Sequence, residues 1–495
     1  MNELETAMLV NGLSYSVKGR KLKTKQEDEK FILKNLKFKL RVGEIIGIVG
    51  EAGSGKTTLG KLLTGEIKPT HGNIFLRPEE DICNEIDEID RRLRKIEIEL
   101  REKYGKEAES GEDEEREMLR SRFAEIAEEA STEGKTFRKS GRNSSVYMLR
   151  QDLFSQMNEP KTVSKIIDER IIKELKKTKE EAAYIRDSLC IELGIKDDVI
   201  KGKMSELSRE DAQKVLLATI LSVEPDVIIL DEFFSSMDMR TRLFLTDVIR
   251  RRTVEKKMSC ILLTPDMNIA SQFTDTVFIM YKGSIVESAR AERIFSGPLH
   301  PYTQASIVAN SIGGYTNLDG GNNEKIVIPN ASVKPAGCLY HRVCPLVLKT
   351  CGWTAQEMLE PLRYAITEQK LLNNDALPDL EGIEADMEEN LLELKFRKDD
   401  PRFEEPTVKS FMENLFILKA QRPGGVIFES VKFIDFEQEN HNLVIQLIDS
   451  YEPFFIEVEK DHRVACHLHS KTLEEKIEER EKEESREIRF FQPDE

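Results

Sequence analysis

The sequence predicts an α/β fold, and two apolar strands with glycine-rich or charged ends predict it. The first strand, Ile45–Val49, runs into Gly50-x4-Gly55-Lys56-Thr57 and then into the helical pattern TTLGKLLTG. Strand, glycine-rich turn and helix in that order make a P-loop, whose backbone N–H groups wrap phosphates while the helix N-terminus adds positive field. The second strand, DVIILDE, ends on Asp231 and Glu232. A carboxylate at the end of a buried strand is where a P-loop enzyme keeps the Asp associated with Mg²⁺. The expected ligands of Mg²⁺ and ATP are therefore Gly50, Gly53, Ser54, Gly55, Lys56, Thr57, Thr58 and Asp231. Lys56 is expected to reach the β- and γ-phosphates, the Thr57 hydroxyl to sit on Mg²⁺, and Glu232 to orient or deprotonate the attacking water.

At 495 residues the chain is long enough for several domains with an ample core. A third of it is charged and the net charge is −17. That balance argues against non-specific nucleic-acid binding, which neutralises phosphates with Lys and Arg. No apolar run approaches the roughly 18–20 residues needed to cross a bilayer. The first thirty residues also lack the apolar centre of a signal peptide. A cytoplasmic location is expected, where thiols stay reduced. Any membrane role then comes through a partner.

Further landmarks follow in order. YMLRQDLFSQMNEPKTV contains Gln151, ELSREDAQKV opens a helix, LDEFFSSMD ends at Asp238, and MYKGSIVE precedes IFSGPLHPYTQA. This co-linear set resembles ATP-binding subunits of ABC transporters, most closely the oligopeptide/dipeptide/nickel branch. The resemblance covers residues 8–78, 144–351 and 462–470. It implies an ABC-type P-loop NTPase with a helical subdomain, with Gln151 as a catalytic Q-loop residue that also completes the metal shell. It implies an aromatic that stacks on adenine near Tyr15, although the best register puts Val17 there. As partners it implies a second ABC ATPase subunit and separate transmembrane permease subunits, at the inner face of the cell membrane.

Two family positions are altered. Where the family's signature reads Leu-Ser-Gly-Gly, this chain has Arg209 and Glu210 in LSREDAQ. Side chains there block the close backbone approach that glycine permits, and the Glu210 carboxylate repels phosphate at short range. In ILLTPDMN, Pro265 takes the place of the switch histidine, and a proline ring has no donor.

Residues 1–290 are expected to form the nucleotide-binding domain, with 79–143 inserted as a helical hairpin on its helical side. Ile82, Ile86, Ile89, Leu93, Ile96 and Leu100 recur at helical spacing, followed by Met118, Leu119, Phe123 and Ile126. Residues 291–351 are the transporter-type C-terminal segment. Residues 352–460 are expected to be an inserted α+β module, helical through LEGIEADMEENLLELKFRKDDP and then strand-rich through GGVIFESVKFIDF, NLVIQLID and PFFIEVE. Residues 461–495 carry a fourth cysteine of interest and a charged tail.

Three of the chain's seven cysteines, Cys338, Cys344 and Cys351, lie within AGCLYHRVCPLVLKTC. Their spacing is too wide for common zinc knuckles. With Cys466 in HRVACH they resemble the C-terminal segment of the peptide-transporter branch, which in some members holds an iron–sulfur cluster. A [4Fe–4S] cluster on these four thiols, an all-thiolate zinc site and a reduced structural remnant stay open. Cys83, Cys190 and Cys260 lie in helical or strand patterns and read as apolar fillers.

Two functions fit. One is the peripheral ATPase of a peptide- or nickel-type importer, with weak hydrolysis alone and a heterodimeric partner. The other is a soluble ABC-type nucleotide switch that remodels a protein complex or metalloenzyme.

Overall fold

The computed structural model describes residues 5–18, 29–104, 114–133, 146–150, 161–311, 337–372, 378–386, 390–397, 399–437 and 442–469. The chain forms two compact units, Met1–Gly297 and Pro298–Glu495.

In the first unit, β3 (Ile45–Val49), β5 (Val146–Leu149), β6 (Val227–Asp231), β7 (Ser259–Thr264) and β8 (Thr276–Tyr281) run parallel. β9 (Ser284–Arg290) joins β8 antiparallel, and the strand order is β9-β8-β3-β7-β6-β5. Every residue of β3, β6 and β7 is buried. Burial on both faces is why these strands read as continuous apolar runs rather than alternating ones. A second sheet, β2-β1-β4, is antiparallel and built from β1 (Thr6–Lys18), β2 (Glu29–Arg41) and β4 (His71–Leu76). Helix α1 (Lys56–Leu63) leaves the P-loop.

The hairpin helices α2 (Glu80–Tyr104) and α3 (Glu114–Glu133) are present, but not on the helical side of the unit. Their apolar stripe, through Ile86, Ile89, Ile96, Leu119 and Ile126, shares a core with Leu9 of β1 and Phe75 of β4. Lys37 and Lys39 of β2 hold Asp90 and Glu80 at 2.8 and 3.3 Å. The hairpin therefore roots on the antiparallel sheet. Met118, expected in the stripe, is exposed, because the α3 stripe turns through Leu119, Phe123 and Ile126 instead. The Leu100 side chain lies outside the described ones.

The helical subdomain comprises α4 (Val163–Leu175), α5 (Lys179–Glu192) and α6 (Arg209–Leu221). α5 opens on a capping box between Thr178 and Glu181. Cys190 and Cys260 sit in the main core and Cys83 in the hairpin core. Helices α7 (Met239–Glu255) and α8 (Met267–Phe273) follow β6 and β7.

The second unit opens with α9 (Pro301–Ser311), whose motif is structural: His300 Nδ1 accepts from the Tyr302 N–H at 3.0 Å, and both rings pack on Tyr340 of the cysteine segment. The inserted module holds α10 (Ala355–Leu372) and α11 (Glu405–Ala420). Its sheet, in the order β10-β11-β13-β12, comprises β10 (Leu380–Asp386), β11 (Leu391–Phe396), β12 (Val431–Phe436) and β13 (Leu443–Leu447). A further hairpin, β14 (Phe455–Glu459) and β15 (His462–Ala465), leads to Cys466.

The stretch expected to be helical, LEGIEADMEENLLELKF, is the β10–β11 hairpin. Its acidic residues favour a helical reading, but Leu392, Leu394 and Phe396 are buried at period two, and Asn390 turns the chain at φ +54°. The strand expected through GGVIFES begins only at Val431, after a helical turn at Val426–Glu429.

The module is also an internal repeat. Met358, Leu362, Ala365, Ile366 and Gln369 are buried on α10, and Val408, Met412, Leu415, Phe416 and Lys419 are buried on α11 at the same spacing. Each helix is followed by a hairpin whose buried pair is Ile383 with Leu394 or Ile434 with Ile445. Across the β11–β13 contact, Leu392 faces Ile445 and Leu394 faces Leu443, so the two αββ halves meet about a local dyad at Glu393 and Val444.

Trp353, the chain's one tryptophan, is buried in the module's core, so its fluorescence reports unfolding of this module alone. Leu394→Ala should lower the stability seen by Trp353 by about 2–5 kcal/mol. Denaturation followed at that signal checks it, and an unchanged midpoint would contradict the placement of Leu394.

Candidate nucleotide site and cysteine segment

The P-loop spans the end of β3 and the start of α1. A side chain at Gly50 would come within 2.3 Å of the Met280 carbonyl, so only glycine fits there. Gly55 caps α1 at φ +104°, in the left-handed region that glycine enters freely. Lys56 is buried, and its ammonium donates to the carbonyls of Gly50 at 2.7 Å and Glu51 at 2.9 Å. Burial lowers its pKa, against the carboxylates of Glu232 and Asp231. Ser54 is buried beside it, Gly53 lies in the turn, and Thr57 and Thr58 stand in the first turn of α1.

Strand β6 delivers Asp231 to the same place. Its Oδ2 accepts from the Thr57 hydroxyl at 2.9 Å, while its Oδ1 is buried and has no hydrogen-bond partner among the described residues. Burial pushes the Asp231 pKa up. A buried carboxylate oxygen without a donor, next to a hydroxyl, is a donor set that suits a hard divalent cation, so Thr57 and Asp231 fit Mg²⁺. Glu232 sits one residue on at φ +50°, with its N–H fixed to the Leu263 carbonyl at 2.8 Å. Gln151 lies outside the described residues. Tyr15 is half-buried on β1 and Val17 is exposed. The sequence reading missed Phe31, an exposed aromatic two residues before Leu33, the side chain that packs against Gly55.

At the altered signature, Ser208 caps α6, accepting from the Asp211 N–H at 3.1 Å and donating to the Asp211 carboxylate at 2.6 Å. Glu210 accepts from the Lys214 ammonium at 2.7 Å and the Thr241 hydroxyl at 3.0 Å. Thr241 in turn binds Asp238, the cap of α7, at 2.8 Å. Gln213 donates to the Phe233 carbonyl at 3.0 Å. The carboxylate at the second glycine position thus bonds α6 to the start of α7. At the switch position, Pro265 precedes Asp266, which caps α8.

In the second unit Cys338, Cys351 and Cys466 are buried and Cys344 is half-buried. Burial pushes the Cys338 thiol up, Cys344 to about 11, and Cys351 and Cys466 to about 12. Each sulfur has a backbone partner, at Tyr340 and His341, Leu346, Leu348 and Leu468 respectively. Thiols are ligands that by chemistry suit an iron–sulfur cluster or soft metal ion. Among the described residues, however, no group of three or more His, Cys, Asp or Glu side chains is drawn together closely enough to hold a metal ion.

Residues 33–235 match the ABC transporter family. With the P-loop and β6 carboxylate in place, the chain belongs to the ABC ATP-binding proteins. Residues 286–351 match the oligopeptide/dipeptide transporter C-terminal region, which places it in the oligopeptide/dipeptide branch. A Brucella ovis protein named as a peptide import ATP-binding protein is 24% identical over 66% of this chain and 88% of its own length. Oligopeptide transport ATP-binding protein AppF of Bacillus subtilis is 26% identical over 65% of this chain and 84% of its own. Among solved structures, cbiO1 from Clostridium perfringens, part of the ABC transporter complex cbiONQ, aligns over 62% of this chain and 95% of that one, at 19% identity and a TM-score of 0.41.

Lys56→Ala should remove most of the affinity for Mg-ATP; unchanged binding by calorimetry would defeat the site. A second expectation concerns Glu357, buried in the module and held by His341, Arg342 and Thr354 with its pKa lowered from 4.5 to about 2. A carboxylate depressed in the folded state stabilises fully above its unfolded pKa and loses that contribution as pH falls towards the folded one. The Trp353 unfolding midpoint should therefore drop between about pH 4.5 and 2 in the wild type, and Glu357→Gln should flatten that part of the profile. Parallel profiles would refute it.

Proposed function

We propose that this chain is the ATP-binding subunit of an importer for peptide-class cargo, working at the inner face of the cell membrane on separate permease chains. The observation that carries the reading is one chain matching both an ABC ATPase region and the oligopeptide/dipeptide C-terminal region. The relatives' names support the cargo class. Among the described residues no helix is long and apolar enough to cross a membrane.

At the nucleotide site, Gly53, Ser54, Gly55, Lys56 and Thr58 bind the phosphates, and Thr57 and Asp231 hold Mg²⁺ with Gln151 beside them. A cation held there would neutralise the charge that develops on the phosphates. Glu232 orients or deprotonates water. Tyr15 and Phe31 are the candidate aromatic surfaces for the base.

Hydrolysis by the chain alone is slow, on this reading. ABC sites form between two subunits, each lending its signature to the other's P-loop. Ser208 and Glu210 are already bonded within the chain, and Pro265 donates nothing. Preorganised donors at developing charge are each worth about 10²–10³ in rate. A partner with an intact signature completes the site at Lys56, so the working form is a heterodimer. The same rebuilt signature favours a second reading, a soluble nucleotide switch that remodels a protein complex or metalloenzyme.

The four C-terminal thiols hold a [4Fe–4S] cluster in this proposal. Three of them lie in the region that matches the oligopeptide/dipeptide transporter C-terminal family, and three of the four are buried. Co-purification with membrane permeases separates importer from switch. The purified chain should turn over ATP at least about 10²-fold more slowly than with its partner, and Glu232→Gln should abolish the remainder. Brisk turnover alone would sink the heterodimer. Anaerobic preparations should be brown with about four irons per chain; a colourless protein with stoichiometric zinc would replace the cluster by a zinc clasp.

A further inference from the structure

The inserted module covers its sheet on one face. Ile383, Leu394, Ile434 and Ile445 join the core that α10 and α11 share with the sheet, and the alternate residues of each strand stand on the opposite face. There Glu393, Lys395 and Val444 are half-exposed although their strands are central, and Glu384, Phe433 and Asp435 on the outer strands are exposed. The register sets Glu384 directly opposite Glu393, Glu393 opposite Val444, and Val444 opposite Asp435. One row across all four strands therefore carries three carboxylates, and it passes through the local dyad. The neighbouring row runs from Asp386 through Leu391 and Gln446 to Phe433, which is 49% exposed. Lys395 reaches Glu384 at 2.7 Å, and Lys409 of α11 reaches Asp435 at 3.1 Å. The uncovered face of an antiparallel sheet is ordinarily polar, with both signs interspersed. Like charges directly opposite one another destabilise a sheet, yet Glu384 and Glu393 are placed so at the centre of this one.

We propose that this uncovered sheet face docks a Lys- and Arg-rich polypeptide segment, on the cytoplasmic side of a membrane-protein partner. The second half of that statement rests on the importer reading. Cationic side chains laid along the row relieve the repulsion between Glu384 and Glu393, and Phe433 and Val444 give their aliphatic stems an apolar seat. The Phe433 ring also offers its face to a guanidinium or ammonium. Charge decides the kind of partner. Cytoplasmic loops of membrane proteins carry an excess of Lys and Arg, which this face attracts. The inner leaflet itself is anionic, and the same carboxylates repel it. Complementarity of this kind governs encounter rate and partner choice and weakens as salt rises.

The test uses the full chain with three probes: a short Lys/Leu peptide, the Glu/Leu peptide of equal length, and phosphatidylserine vesicles. The wild type should bind the Lys/Leu peptide, more weakly as salt rises, and neither of the other two. Glu393→Lys with Asp435→Lys should weaken that binding about tenfold or more, with Mg-ATP binding unchanged. Phe433→Ser should reduce the part that survives high salt. Glu393→Lys should hold or raise the Trp353 unfolding midpoint, because Lys opposite Glu384 replaces a like-charge pair; a lowered midpoint would make Glu393 a stabilising residue and overturn its role in docking. Equal peptide binding by wild type and the double variant also overturns the docking face, as does a preference for the Glu/Leu peptide or the vesicles. If the charge reversals fail to fold, Glu393→Gln with Asp435→Asn is judged by the same criteria. Co-purification with identified permeases separates the two readings. A wild type that binds the Lys/Leu peptide but retains no permease sinks the importer and leaves the face standing. Equal permease retention by wild type and double variant sinks the face and leaves the importer standing.

Discussion

Thr57 donates to Asp231 at 2.9 Å, and that bond joins two motifs that lie far apart in sequence. It forms only because β3 and β6, separated by β7, run parallel and end at the same edge of one sheet. Asp231 is held there at a desolvation cost, with one oxygen buried and without a donor among the described residues. Such a carboxylate persists in a stable fold when a cation or a donor compensates it. The apolar strands, the glycines at positions 50 and 55 and the buried Lys56 all serve to bring phosphate and cation to this point.

Much of this was legible because it is local. A strand, a glycine-rich turn and a helix announce themselves within a dozen residues, and the carboxylate at the end of DVIILDE does the same. The module was harder. Acidic residues on β10 and β11 resemble a solvated helix in composition, and only the period-two burial of Leu392, Leu394 and Phe396 decides for a strand. The hairpin's apolar stripe was visible, but the surface it covers was not, because Leu9 and Phe75 belong to strands whose packing no local pattern encodes.

The signature segment teaches a different lesson. From sequence, Arg209 and Glu210 mark the loss of a phosphate contact. In the fold, Glu210 has partners of its own, Lys214 and Thr241, and Gln213 reaches the segment after β6. What reads as decay at one position is a bonded connection between α6 and α7, elements that sequence proximity does not join. Partners across the fold, like those of Glu357, are not predictable from residue type alone.

The local dyad at Glu393 and Val444 has a mechanical consequence. A helix followed by one hairpin leaves a central strand with an open hydrogen-bonding edge, and two such pieces close each other's edge only by meeting back to back. The module therefore has the architecture of a small homodimer contained in one polypeptide. Tethering replaces an association that depends on concentration with one that does not. A half excised from it would carry an open strand edge, free to pair with another copy of itself.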